Sequence, residues 1–465
     1  MITPKFTCSQ TESSVIVSIY CPSIRAADVE IHIDETLATI HVNPYFLRLN
    51  FSKPLVEDND SAAKYDPSSG YLIVTLTKEY RGERFEDLDL LAKLLVPRRT
   101  ANVTPTIEVL TSEDAGLENL DEVNGLVEQT ENLTVNDDEL VKAAENDWQL
   151  TQNLSEESGP QLQTSPQAQY GFLDLHSGYL RHAAHTENEI NELGTDAEVC
   201  TSVERSARRV AHENEKFDEE HYIADFMDDY EIQEMMEWPQ PHVGDAGPFE
   251  YRESENLVIM TLPRREYLPT PVQTHNLYLV LITLLFSYTY DTRITQHEPT
   301  SESPWTICNL TPAFSALDPP RSSSYQSGPH KFTSEEVKET FIPSYRRSLA
   351  FPLYRSFALA EKCRHDVGWL LKRGRRTITR CLLEMKHILD HHDVYYIYSK
   401  IWVDDFCVWI QSDAHDEILE QLGEVILTTE MRKMSIGWDL KELEDLALES
   451  PGGPSDSDDE SSNEN

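Results

Sequence analysis

The chain of 465 residues has few glycines and few basic residues. It contains 17 glycines, and its sequence shows no Walker-type phosphate loop, no dinucleotide-binding loop and no nucleophile elbow. Lys and Arg number 39 against 82 Asp and Glu, which gives a formal net charge of −43. An acidic chain lacks the Coulombic attraction that draws proteins to nucleic-acid phosphates and to anionic membranes. We therefore expect no direct nucleic-acid or membrane binding, and the charge favours a partner with a basic face.

Paired cysteines and long apolar runs are also missing. The seven cysteines are widely scattered and none belongs to a C-x-x-C pair, which predicts reduced thiols in the cytosol or nucleus. The longest apolar run, 277–286, is too short for a membrane span of about 20 residues. The N-terminus shows no signal-peptide pattern. These features predict a soluble intracellular protein.

Apolar and polar residues alternate with a period of two in four stretches before residue 96. The stretches are 29–33, 38–42, 45–51 and 72–76, and a turn signal at 66–70 precedes the last one. Such short strands with one apolar face predict an all-β antiparallel sandwich domain over 1–96. We expect it to end in a helix that Pro97 terminates.

The rest of the chain has a different composition. Between 101 and 160 there are 15 acidic residues and one basic residue, Lys142, so we expect an acidic disordered linker over 97–169 that acts mainly as a solvated spacer. From 170 the apolar period becomes helical, which predicts an all-α domain over 170–430. Residues 431–465, which end in an acidic serine-rich stretch, are predicted to be a disordered tail.

Several helical stripes support the all-α prediction. One stripe at i, i+3, i+4 and i+7 comprises Ile223, Phe226, Met227 and Tyr230, and the helix that carries it ends at Trp238. Residues 276–290 are apolar all round, which is typical of a helix buried at the centre of a domain.

Two local features have alternative interpretations. His387 and His391 lie four residues apart on a predicted helix, where they form either part of a metal site or a histidine cluster at the negative end of the helix dipole. Ten basic and two acidic residues between 341 and 380 form either a nucleic-acid patch or a basic face balanced by the acidic remainder of the chain. We favour the second interpretation in both cases, and we expect no catalytic, cofactor-binding or metal-binding residues.

A pair of acidic residues lies among aromatic ones. Asp404 and Asp405 stand between Trp402 and Phe406. Acids flanked by aromatics can form a hot spot for an arginine-rich partner. The more common arrangement is a pair of solvated acids on an amphipathic helix.

Short motifs in both halves resemble the Shq-type H/ACA ribonucleoprotein assembly factors. Those in the β-half, which resemble the family's CS (small heat-shock-like) domain, are 44–49, 65–70 and 76–79. Those in the helical half, which resemble the family's specific domain, are 170–172, 217–218, 221–226, 290–293, 303–307, 351–355, 381–384 and 404–411. The long acidic linker and the Pro/Ser-rich stretch between 297 and 345 depart from the family pattern.

The resemblance implies a non-enzymatic chaperone without a cofactor. Such a protein binds the RNA-free dyskerin-type pseudouridine synthase, covers its RNA-binding surface as an acidic stand-in for RNA, and is released by an AAA-type ATPase remodelling complex. The resemblance also implies a location in the nucleus (nucleoplasm) and cytoplasm. The motif residues that we expect at the partner interface are Tyr222, Asp225, Phe226, Tyr354, Arg355, Asp404 and Asp405. A general CS-domain co-chaperone or holdase is the alternative function, and it rests on the β-pattern alone.

Overall fold

The computed structural model describes residues 2–22, 24–25, 28–58, 61–97, 169–180, 188–244, 249–322 and 331–449. They form an N-terminal set of antiparallel sheets and a C-terminal helical domain, so the predicted fold class is confirmed for both. The described residues on either side of 98–168 pack into one compact unit. The predicted linker lies almost entirely outside the described residues, as does the tail after 449.

The described part of the N-terminal domain contains eight strands. They are β1 (Lys5–Gln10), β2 (Ser14–Tyr20), β3 (Glu30–Asp34), β4 (Leu37–Val42), β5 (Tyr45–Asn50), β6 (Leu55–Val56), β7 (Ala62–Asp66) and β8 (Tyr71–Lys78). One sheet has the order β1-β2-β8-β6, with β7 also paired to β8, and the other has the order β3-β4-β5. All of these pairs are antiparallel.

Alternation along the strands builds the core of the sandwich. In β2, Val15, Val17 and Ile19 are buried, and Val17 lies opposite the buried Val74 of β8. In the smaller sheet, Ile40 lies opposite Leu47, and both side chains are buried. The period of two therefore predicts correctly which face of each strand is apolar and buried.

The sandwich ends in helix α1 (Leu91–Leu95), which joins it to the helical domain. The backbone N–H of Ala92 donates to Oε1 of Gln411 over 3.3 Å. Beside this contact, Arg376 forms a bidentate pair with Asp89 at 2.6 and 2.7 Å, and Arg375 pairs with Asp87 at 3.2 Å. The two domains are thus docked through a hydrogen bond and ion pairs.

The described part of the helical domain contains fourteen helices. They are α2 (Ser202–Lys216), α3 (Glu219–Met227), α4 (Tyr230–Glu237), α5 (Glu253–Thr261), α6 (Pro271–Ile294), α7 (Ser303–Leu310), α8 (Pro312–Ser315), α9 (Ser334–Ala350), α10 (Phe357–Lys372), α11 (Arg375–Asp390), α12 (Tyr396–Tyr398), α13 (Asp404–Ser412), α14 (Asp416–Thr428) and α15 (Leu440–Glu449). A π-helical turn, Ser399–Val403, joins α12 to α13.

Helix α6 is the centre of this domain. Thr270 caps its N-terminus in a capping box with Gln273, and Pro271 occupies the first turn. Every residue from Leu277 to Arg293 is buried, as its all-round apolar sequence predicts. At its C-terminal end Arg293 donates to Asp366 at 2.5 Å and to backbone carbonyls at the end of α4. None of the described helices is both long and apolar enough to cross a bilayer.

A buried carboxylate, Glu213, links distant parts of the helical domain. Its side chain has no solvent exposure and pairs with Arg209 at 2.8 Å and with Arg346 at 2.6 Å. Arg347, also fully buried, lies 3.7 Å from Glu213 and 2.5 Å from Glu192. Arg346 in addition donates to the carbonyl of Ile436 at 2.8 Å. We name these side chains, Glu213 with its three arginines, the Glu213 cluster.

The C-terminal segment 431–449 is folded, so its assignment to a disordered tail is wrong. It forms a 3₁₀ turn (Lys433–Ile436) and helix α15. Trp438 stacks on Phe217 with ring centroids 4.0 Å apart, and the Arg346 guanidinium lies 4.1 Å from the Trp438 ring. Prediction of a tail failed because acidic composition alone does not show that Leu440 and Ala447 bury one face of a helix.

The docking of the two domains leads to a first prediction. Arg375→Ala removes the guanidinium that faces Asp87, and only 12% of each side chain is exposed. Since Lys93 still pairs with Asp87, we expect a loss of about 2 kcal/mol in the free energy of unfolding, measured by urea denaturation. Arg432→Ala, at an exposed arginine, is the matched control and should change stability by less than about 0.5 kcal/mol. Equal effects of the two variants would contradict a stabilising role for the docking pair.

The folded C-terminal segment leads to a second prediction. Trp438→Ala removes both the stack on Phe217 and the cation–π contact with Arg346. We expect a loss of about 2 kcal/mol or more in the free energy of unfolding. Met434→Ala, in the same segment but at a side chain that is 80% exposed, should be close to neutral. A neutral Trp438→Ala variant would show that the segment does not contribute to the fold.

Candidate protein-binding surface

Four of the residues expected at a partner interface surround one cavity. Tyr222, Asp225 and Phe226 lie on α3, and Arg355 precedes α10. All four line a cavity of about 400 Å³. Tyr354 lies beside it on the segment between α9 and α10. The structure therefore brings together five of the seven residues, although 127 positions or more separate the two groups in the sequence.

The segment 351–356 is fixed to α3 and α4 by hydrogen bonds. The backbone N–H of Arg355 donates to Oδ2 of Asp225 at 2.6 Å, and the Tyr354 hydroxyl donates to Glu231 at 2.6 Å. The Tyr354 carbonyl accepts from the Tyr290 hydroxyl at 2.6 Å. Asp218 caps the start of α3 through the N–H groups of the next turn. These contacts hold the surface in one conformation before any partner binds.

Tyr222 does not offer its hydroxyl to a partner. The side chain is only 2% exposed, and its hydroxyl donates to Oε1 of Glu444 on α15 at 2.7 Å. Burial, together with the bond to Glu444, raises the pKa of Tyr222 far above its ordinary value. Tyr222 thus forms the floor of the cavity and joins α3 to the C-terminal helix.

The structure contradicts an exposed, partner-facing position for Asp404 and Asp405. Asp405 is 1% exposed and accepts from the Tyr267 hydroxyl at 2.5 Å and from Nε2 of His176 at 3.0 Å. Asp404 is 8% exposed and pairs with Lys386 and with Lys400. Both acids neutralise internal charges and satisfy internal donors, so they hold the fold together instead of facing a partner.

The surroundings of Asp405 also explain the motif 170–172. Gly171 has φ +81°, and a Cβ at this position would lie 2.7 Å from the carbonyl oxygen of Ile401 and 2.8 Å from the His176 ring. Only glycine fits there, because both the backbone conformation and the space exclude a side chain. The next residue, Phe172, packs edge-to-face on Phe406. This motif therefore serves packing around the π-helical turn.

An exposed acidic surface adjoins the cavity, and the sequence did not assign it as a site. We define the acidic face as the solvent-facing side of α3 and α4, residues 219–237, together with Leu353. That range contains eight acidic residues and no Lys or Arg. Three apolar side chains stand among the acids, namely Met227 (50% exposed), Tyr230 (76%) and Leu353 (68%).

The acidic face corrects the prediction of one core-facing helix up to Trp238. The chain instead forms two helices, α3 and α4, that meet at Asp228 and Asp229. Met227 and Tyr230 share the helical period with Phe226 yet are 50% and 76% exposed. Tyr230 follows the break between the helices, which changes the direction of the apolar face. The run of acids without a compensating base was the sequence signal for this surface.

The basic stretch 341–380 is used within the chain, as the second interpretation predicts. Its arginines pair with acids of distant elements: Arg346 with Glu213, Arg347 with Glu192, Arg375 with Asp87, Arg376 with Asp89 and Arg380 with Glu255. Four of these acids precede the stretch by more than 120 residues. The stretch therefore neutralises internal acids and does not present a basic patch made by these arginines.

His387 and His391, which the sequence analysis considered as metal ligands, lie at the end of a helix. This agrees with the interpretation favoured from the sequence. His391 follows the last residue of α11, and its Nδ1 lies 2.7 Å from the carbonyl of His387. A different group has a geometry that could hold a metal: His242, His297 and Glu384, whose donor atoms lie within 4.8 Å of one another. The sequence shows no sign of it, because 142 positions separate the first ligand from the last.

Comparison with known proteins follows the same division of the chain. Residues 3–95 match the family model "SHQ1-like, CS domain", and residues 241–440 match "SHQ1 protein, Shq1 domain". Residues 219–237 of the acidic face lie between these two ranges, and Leu353 lies within the second.

Full-length relatives are also similar. Protein shq1 of Schizosaccharomyces pombe is 36% identical over 96% of each chain. The SHQ1 homologs of Xenopus tropicalis and Mus musculus are 31% and 28% identical over 96% of this chain. These alignments cover 70% and 75% of the two homologs, respectively. With both domains matched and a relative aligned over nearly its whole length, the chain belongs to the SHQ1 family.

Proposed function

We propose that this protein is an assembly chaperone for H/ACA ribonucleoproteins that binds the RNA-free dyskerin-type pseudouridine synthase. On this proposal it covers the RNA-binding surface of the synthase and prevents aggregation or unguided RNA binding until release. Membership of the SHQ1 family supports the chaperone class. The observation that carries the choice of surface is the acidic face with its three exposed apolar side chains.

The charge of the acidic face suits such a partner. An enzyme that binds RNA meets phosphates with lysines and arginines, so its free RNA-binding surface is basic. Eight acidic residues without a Lys or Arg provide complementary potential, which speeds encounter and suppresses wrong partners. Because the acids occupy the place of phosphates, the chaperone and RNA compete for one surface.

The three exposed apolar side chains of the acidic face provide binding strength that charged residues alone do not provide. Charged rims change association rates, whereas buried aromatic anchors dominate the strength of an interface. Tyr230 is the most exposed aromatic side chain in the described residues at 76%, and it stands on the same face of α4 as Glu234. Hydrogen bonds already fix this surface, so binding orders few further groups.

Release and location follow from the same proposal. An interface with many rim acids and a small apolar centre is suited to disassembly by a partner that pulls on the chain, and an AAA-type ATPase remodelling complex is the proposed agent. The proposed location is the nucleus (nucleoplasm) and cytoplasm, where synthase is made and then assembled with RNA.

A second candidate function has its own observation. The outer face of the larger sheet exposes Tyr20, Tyr71 and Ile73, and the two tyrosine rings lie 5.3 Å apart. An exposed apolar stripe on a sandwich is a surface on which a general CS-domain co-chaperone could hold unfolded clients. Substitution at each surface separates the two functions.

Charge reversal on the acidic face tests the first function. Asp228→Lys with Glu234→Lys should weaken binding of a dyskerin-type synthase to the full-length chain about tenfold. The loss should shrink at high salt, since screening already weakens the wild-type contact. The measurement is surface plasmon resonance at two salt concentrations.

The matched control reverses two exposed acids of α14, Glu417→Lys with Glu420→Lys, which changes net charge by the same amount. It should bind the synthase with an affinity within about twofold of the wild type, since it leaves the acidic face intact. Equal weakening by both double variants would show that only net charge matters, and this would rule out the acidic face as the binding surface.

Substitution of the aromatic anchor tests the apolar part. Tyr230→Ala should weaken synthase binding by about 2 kcal/mol, roughly thirtyfold, while stability changes by less than about 0.5 kcal/mol. Tyr71→Ala on the sandwich should leave synthase binding unchanged. If Tyr71→Ala instead impaired suppression of client aggregation and Tyr230→Ala had no effect on synthase binding, the holdase function would replace the first proposal.

A further inference from the structure

Three separated parts of the chain place nitrogen and oxygen donors at one point. His242 lies in the turn that follows α4, His297 lies just after α6, and Glu384 lies on α11. Nε2 of His242 is 3.1 Å from both Oε1 and Oε2 of Glu384, and Nε2 of His297 is 3.0 Å from Oε2. All three donor atoms lie within 4.8 Å of one another.

These separations are close to those of a tetrahedral metal site. Zinc binds histidine nitrogens and carboxylate oxygens at about 2.0–2.2 Å, so neighbouring donor atoms of a tetrahedron lie roughly 3.3 Å apart. The His–Glu separations of 3.0 and 3.1 Å therefore need only small adjustments. The two histidine rings are nearly perpendicular, with centroids 5.3 Å apart, so their edges can converge without stacking.

The conformation at His297 is unusual. Gln296 and His297 have φ values of +51° and +64°, in the left-handed region that residues other than glycine rarely adopt. This backbone directs the imidazole back toward α11. A strained conformation at a cluster of donor groups is a feature of functional sites.

The surroundings supply an outer layer of contacts. The Tyr288 hydroxyl donates to Oε2 of Glu384 at 2.5 Å, as outer groups commonly orient the carboxylate ligands of metals.

A cavity of about 360 Å³ opens beside the cluster. His297, Glu384 and Tyr288 line it, and so does Asp291, which is 2% exposed. Oδ1 of Asp291 is buried and accepts no hydrogen bond from the residues that the structure describes. Such an oxygen is a natural acceptor for a metal-bound water or for a donor group of a ligand.

We propose that His242, His297 and Glu384 form a Zn²⁺ site whose fourth coordination position opens to the cavity. Two imidazoles with one carboxylate favour zinc over magnesium or calcium, which prefer oxygen ligands alone. The ion joins the turn after α4 to the end of α6 and to α11, and so stabilises α4, one of the two helices that carry the acidic face. The site goes beyond synthase binding and does not depend on it.

Zinc binding to the full-length chain tests the proposal. Titration with zinc chloride against a zinc-sensitive dye should give one tight site per chain, and saturating zinc should raise the thermal midpoint. His242→Ala with His297→Ala should weaken that site at least a hundredfold and abolish the thermal shift. Retention of the tight site in this double variant would overturn the proposal.

The matched control is His387→Ala with His391→Ala, which removes two histidines near the cavity but outside the cluster. It should keep the tight site and the thermal shift. Loss of the site in the control alone would assign the zinc to the end of α11 and would likewise overturn the proposal.

A measurement on the unaltered protein covers the case in which the variants fail to fold. Zinc K-edge X-ray absorption of the one-to-one complex should show two imidazoles with oxygen donors and no sulfur. A zinc–sulfur shell would place the ion on the cysteines and contradict the proposal, as would the absence of any tight zinc site in the wild-type chain.

Discussion

The pairing of buried Glu213 with three arginines is the interaction on which most of the helical domain depends. It connects α2 to α9 and, through Arg346, to the C-terminal segment at Ile436 and Trp438. Removal of one member of such a group leaves an uncompensated charge in the interior, at a cost of about 3–5 kcal/mol. The C-terminal segment in turn contacts α3, because Glu444 of α15 accepts a hydrogen bond from the Tyr222 hydroxyl. These contacts stabilise α3 and α4, two short, solvent-facing helices whose own sequences do not provide that stability.

The pairing of charges inside the fold and the excess of acidic residues on its surface are connected. Arginines of the 341–380 stretch neutralise acids inside the fold, so the formal net charge of −43 is not balanced on the outside. On the acidic face no lysine or arginine accompanies the acids of residues 219–237. The proposed partner, with a basic surface, would therefore meet acids there that no neighbouring Lys or Arg of 219–237 compensates. Global charge says little about this distribution, which requires the three-dimensional pairings.

Local periodicity in the sequence predicted the structural features that depend on residues close together in the chain. The alternation in β2 and β8 and the all-round apolar α6 both follow from side chains that pack within one element and against one core. The burial of Asp405 did not follow, since its partners His176 and Tyr267 lie 229 and 138 positions away. The same holds for His242 and Glu384, which are 142 positions apart. An acidic residue among aromatic ones looks the same in the sequence whether its side chain is solvated or is paired with a distant histidine. Only the fold distinguishes the two cases.

The π-helical turn Ser399–Val403 has a consequence for the tolerance of this region to insertion and deletion. A π-turn contains one residue more than the equivalent α-turn, and each residue of an α-helix advances the phase by about 100°. Loss of a single residue there would convert the π-turn to an α-turn and keep α13 in phase with α12, whereas a further inserted residue would rotate α13 by about that angle. After such an insertion Asp404 would leave Lys386, and Asp405 would leave His176. The turn therefore tolerates the loss of one residue more easily than the gain of one.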